Sequence, residues 1–159
     1  MVVFNDIQSE SSASLANRVW NVRQVTEINR VEKTASQTTR VLMADDSKVI
    51  RQRLKLLIKD SNNVELVGEA EDARTAVRLW QSTRPDVVVL DLRMPGGGGI
   101  HALREIKKQS PETLVIILTN YPYAAYRKRC TELGADYFLD KSLEFAKVKD
   151  ILSKANPNP

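Results

Sequence analysis

From Arg40 onward the chain alternates between two spacings of apolar residues. The short runs "RVLMA", "VELVGEA", "DVVVL", "TLVIIL" and "DYFL" read as strands. Between them, "SKVIRQRLKLLIKD", "DARTAVRLWQS", "IHALREIKKQ", "YAAYRKRCTELG" and "EFAKVKDILSKA" carry helical periodicity. In the first helix Val49, Ile50, Leu54, Leu57 and Ile58 are expected on one buried face. Ser47 and Asp72 stand where N-caps belong, and Gly134 where a helix ends in a glycine. Val87 to Leu90 and Leu114 to Leu118 are apolar at every position, so they are expected to be buried on both faces. Five βα units of this kind predict an α/β domain over residues 40–155: a doubly wound, five-stranded parallel sheet with helices on both faces.

Residues 1–39 follow another rule, and form an N-terminal extension. Their start, "NDIQSESSAS", predicts disorder. From Ala13 a period of three runs through Ala16, Val19, Val22, Val25, Ile28 and Val31. That spacing disfavours a strand and predicts a helix of about residues 14–33, its apolar stripe winding round the axis. Leu15, Val19, Trp20 and Val22 would anchor it on its own domain or on a second copy, giving a homodimer. Residues 156–159 form a tail.

Composition narrows the function classes. Of 159 residues, 42% are hydrophobic and 28% charged, which suits a globular domain. No apolar run approaches the ~20 residues of a membrane span, and the start lacks a signal-peptide pattern. The single cysteine, Cys130, forms no internal disulfide, so the expectation is a cytoplasmic protein with no membrane partner. A net charge of +4 is weak evidence for nucleic acid. Lys48, Arg51, Arg53, Lys55 and Lys59 read as a solvated helix face, as do Arg127, Lys128 and Arg129, so no nucleic-acid partner is expected. The lone His101 has no metal-spaced partner and reads as a helix surface residue.

Ligands of such a sheet bind outside the carboxyl ends of its strands. Asp45 and Asp46 follow the first strand, Asp91 the third, Thr119 the fourth and Lys141 the fifth. Three carboxylates brought together repel unless one is protonated or a cation joins them. An all-oxygen set suits Mg²⁺, while an ammonium and a hydroxyl suit a phosphoryl group. Asp91, central and followed by Gly96 to Gly99, is the candidate nucleophile, with the glycines free to adapt the loop around it.

Together, Asp45-Asp46, "VVVLDLRMPGGGGI", "VIILT" and "GADYFLDKS" resemble the receiver domain of two-component response regulators, over about three-quarters of the chain. The resemblance implies strand order 2-1-3-4-5 and a phosphoacceptor at Asp91, charged by a histidine kinase or phosphotransfer protein. It implies Mg²⁺ held by Asp46, Asp91 and the Arg93 carbonyl, with Asp45 acting through water. Lys141, Thr119 and the Asn120 backbone N–H would contact phosphoryl oxygens. Thr119 and Phe138 would be the switch pair, and Arg93 and Tyr121 would flank the pocket mouth. It implies a signalling protein rather than an enzyme, acting on a downstream protein target; since the sequence stops a few residues after its last expected helix, no DNA-binding output domain is expected after it. The pattern departs from the family at Ser142, where proline is common, at Asn120, where small residues prevail, and in the number of glycines. A haloacid-dehalogenase-like phosphatase would need an acid where Arg93 stands. A P-loop would need Gly-Lys-Ser/Thr, and a flavin site neutral donors at the strand ends. A scaffold that no longer accepts phosphate remains the alternative.

Overall fold

A computed structural model describes residues 38–155. The expected helix over about 14–33 and the tail therefore lie outside the described residues. The strands are β1 (Thr39–Ala44), β2 (Val64–Ala70), β3 (Val87–Leu90), β4 (Leu114–Thr119) and β5 (Tyr137–Asp140). They alternate with α1 (Lys48–Lys59), α2 (Ala73–Thr83), α3 (Gly98–Gln109), α4 (Ala124–Glu132) and α5 (Lys147–Lys154). All neighbouring strands pair in parallel, in the order β2-β1-β3-β4-β5.

Period-two alternation distributes the strand side chains to two cores. Leu42, Val88, Leu90, Val115 and Ile117 face Trp80 of α2 and Leu103 and Ile106 of α3. Val41, Met43, Val89, Ile116 and Leu118 face Leu54 and Ile58 of α1 and Val148 and Leu152 of α5. Both faces are covered, so β3 and most of β4 are apolar at every position. Each fully buried aliphatic side chain contributes about 1.5–3 kcal/mol. Three caps hold as read: Ser47 and Asp72 accept from Ile50 N and Thr75 N, and Gly134 takes a φ of 91°.

Elsewhere the structure departs from the pattern. Val49 is 71% exposed, whereas the spacing placed it on the buried face of α1. Its place is taken by Arg51, which lies with Leu54 and Ile58 on the buried stripe. The final helix begins at Lys147, three residues later than expected, because Glu144 folds back in a turn. Its Oε2 accepts from Asp140 N at 3.0 Å, and its own N–H donates to Asp140 O. Among the described residues no helix is long and apolar enough to cross a membrane.

Candidate functional site

The sheet order sets β1 beside β3 and β4 beside β5, so the strand ends deliver their polar residues to one edge. Asp91 N donates to Ala44 O and Lys141 N to Thr119 O, both at 2.9 Å, which fixes the backbone on both sides. The Lys141 ammonium then stands between two carboxylates, 2.5 Å from Asp45 Oδ2 and 3.2 Å from Asp91 Oδ1. Asp45, Asp91 and Lys141 are all buried. The repulsion expected among the acids is thus met in part by a cation of the chain itself.

Asp91 remains under-satisfied. Its Oδ2 accepts from Arg93 N at 3.2 Å. Its Oδ1 is buried and, despite the nearby ammonium, accepts no well-directed hydrogen bond. Burial raises its pKa above the ordinary carboxylate value; Lys141 pulls it back and the Asp45 charge pushes it up further. Oxygens of Asp45, Asp46 and Asp91 lie within 4.8 Å of one another. A buried carboxylate oxygen lacking a donor, in an all-oxygen cluster with one exposed acid, fits a hard divalent cation such as Mg²⁺.

The glycines have a stricter role than loop freedom. Gly96, Gly97 and Gly98 take φ values of 79°, 106° and 74°, where other residues are strained. Gly98 and Gly99 also open α3, two residues earlier than its periodicity suggested. A Cβ on Gly99 would lie 2.0 Å from the Asp91 carbonyl oxygen. The missing side chain lets the helix start directly against the backbone of the central acid, while Gly99 N donates to Leu92 O at 2.9 Å.

Asp91 and Lys141 form the floor of an open cleft bordered by Asp46, Arg93, Asn120 and Tyr121. At its mouth the Arg93 guanidinium lies 4.6 Å from the centre of the Tyr121 ring, a cation–π contact worth about 0.5–1 kcal/mol at an exposed site. Thr119 is fully buried, and its Oγ1 accepts from Tyr121 N at 3.1 Å. Asn120 is exposed. Phe138 is buried in β5 beneath Arg127 of α4, whose guanidinium is 4.6 Å from the ring centre and donates to Phe138 O at 3.0 Å.

Two arginines here escaped the sequence reading. The charge pattern places Arg51 on a solvated face, yet it is buried against the β1–α1 turn. The available signal was its spacing: Arg51, Leu54 and Ile58 share one helical stripe. Arg127 gave no such signal, because its contact with Phe138 crosses from helix to strand.

A family model described as response regulator receiver domain matches residues 41–153. The chain is 40% identical over 102 residues to the transcriptional regulatory protein YdfI of Bacillus subtilis (strain 168), covering 64% of this chain and 47% of that one. It is 36% identical over 116 residues to protein CcdB of the same organism, covering 73% and 96% respectively. A solved chain from the CheX–CheY–BeF3–Mg²⁺ complex of Borrelia burgdorferi matches with a TM-score of 0.67 and 28% identity, covering 72% of this chain and 86% of that one.

Proposed function

The chain belongs to the response regulator receiver family, and on that premise we propose that Asp91 accepts a phosphoryl group from a phosphohistidine of a histidine kinase or phosphotransfer protein. An Asp91 carboxylate oxygen attacks phosphorus. A P–O bond forms, the P–N bond breaks, and the departing imidazole nitrogen takes a proton. Little else is required of the protein, because phosphoryl transfer depends mainly on positioning and charge neutralisation. When bound by Asp46, Asp91 and the Arg93 carbonyl, with Asp45 acting through water, Mg²⁺ supplies additional positive charge beside the phosphoryl oxygens.

The chain's own residues do the rest. Lys141 gives up part of its contact with Asp91 to a phosphoryl oxygen, and the Thr119 hydroxyl and Asn120 N–H donate to others. Stacked Arg93 and Tyr121 narrow the path of a hydrolytic water. Thr119 moves toward the new charge, and Phe138 turns into the space behind it. This reshapes the α4–β5 face for a downstream protein target in the cytoplasm. The observation that carries the reading is Lys141: a buried ammonium shared by Asp45 and Asp91 at the floor of an open cleft.

The test is chemical. With Mg²⁺ and acetyl phosphate or a phosphoramidate, the protein should gain one acid-stable, hydroxylamine-labile phosphoryl group. Asp91→Asn should abolish it, as read by mass spectrometry. Equal labelling of the Asn variant overturns the assignment.

A further inference from the structure

We infer that Arg51 is a positioning residue for the cation site, holding the backbone that aims Asp45 and Asp46. This rests on the phosphoacceptor reading above, and it concerns a side chain that touches neither the acceptor nor a phosphoryl group.

The Arg51 fork has two working edges. Nη1 donates to Asp45 O at 2.7 Å and to Asp46 O at 3.3 Å. Nη2 lies 2.5 Å from Glu71 Oε1, and Nε 3.7 Å from Glu69 Oε2. One edge therefore grips the turn that carries both acids, and the other faces the end of β2. A lysine, with a single point of charge, cannot span the two.

The ion pairs alone do not account for the burial. The Glu71 side chain is 73% exposed and Glu69 33%. Pairs with such exposed partners are worth little, whereas taking a guanidinium out of water carries a large desolvation penalty. What burial adds is reach: only from inside can the fork meet the two carbonyls.

Those carbonyls matter because of Asp46. It is exposed, and among the described residues its carboxylate accepts no hydrogen bond. Its direction is set by its own backbone, which Arg51 holds. Asp45 has further restraints, since its Oδ1 accepts from Ser47 N at 2.9 Å and its Oδ2 meets Lys141. Loss of Arg51 should thus release Asp46 first.

Charge and positioning predict opposite signs. Removing a cation near an acidic site should tighten Mg²⁺ binding by Coulomb's law. Removing a support of the ligand backbone should weaken it, and outer supports of metal ligands are typically worth about 10–100-fold in affinity.

The experiment is calorimetric titration of Mg²⁺ into the full unphosphorylated chain, for wild type, Arg51→Lys and Arg51→Gln. Each variant is first checked for wild-type far-UV circular dichroism, and Arg51→Lys, which keeps the charge, decides if Arg51→Gln fails to fold. The expected result is a Kd raised by about tenfold or more in the variants. In parallel, the acetyl phosphate labelling rate should recover at saturating Mg²⁺ while its half-saturating concentration rises. A folded variant with unchanged or tighter Mg²⁺ binding overturns the inference and leaves the phosphoacceptor reading intact. A wild-type chain that binds no Mg²⁺ overturns the metal-site reading and the inference with it.

Discussion

At the scale of single residues, Asp91 combines a raised pKa with a buried oxygen that no donor satisfies. The native state therefore holds the Asp91 proton more tightly than the unfolded chain does. Stability from this group is fully present below the ordinary carboxylate pKa and is lost as pH rises through the raised value. Asparagine cannot ionise. In metal-free buffer, Asp91→Asn should melt above wild type at neutral pH, and the gap should close as pH falls through the raised value toward the ordinary carboxylate pKa. Melting curves followed by circular dichroism across pH check this; a gap that does not change with pH contradicts it. Gly99 gives a second prediction. A Cβ there meets the Asp91 backbone at 2.0 Å, whereas at Gly68 it meets the movable Leu42 Cδ1 at 2.9 Å. Gly99→Ala should cost at least the upper end of the about 1–3 kcal/mol typical of overpacking, and Gly68→Ala clearly less, by urea titration. The acids, the hydroxyl and the ammonium were legible in the sequence because each ends a strand. The demand on Gly99 was not, since it comes from a contact through space with a carbonyl eight residues earlier.

At the scale of elements, legibility followed burial. β3 and β4 are covered on both faces, so their composition announced them. The helix ends were less visible, because glycines opening α3 and the Glu144 turn before α5 obey local hydrogen bonds rather than periodicity. Among the described helices α4 is the least anchored: Cys130 is its one buried residue, with a thiol that burial pushes up to about 11 and so keeps unreactive. Arg127 adds a clasp from this helix onto Phe138. Few buried contacts mean a low cost of local opening. With Mg²⁺ and beryllofluoride, a phosphoryl mimic, backbone amide exchange should change in α4 and β5 while the β1 and β3 amides stay as they were. Identical exchange in α4 with and without the mimic would argue against the proposed Thr119–Phe138 switch.

At the scale of the whole molecule, both cores follow from five βα units read in the sequence, while the strand order was legible only through the receiver resemblance. The extension is a separate matter, because its proposed helix lies outside the described residues. Its proposed role in pairing is tested by deleting residues 1–37, which spares Thr39 and its pairing with Val64. The shortened chain should still take up phosphate at Asp91, and light scattering should show a changed oligomeric state. An unchanged state removes the proposed role. Thr39 has another partner: its hydroxyl donates to Ala155 O at 2.7 Å, across 116 residues of sequence. The first strand therefore begins where the last helix ends, at the opposite end of the strands from Asp91. In effect residues 38–155 make a nearly closed ring with a seam remote from its chemistry. A short linker across that seam, with new termini opened in the 60–63 turn, should give a circular permutant that folds and takes up phosphate.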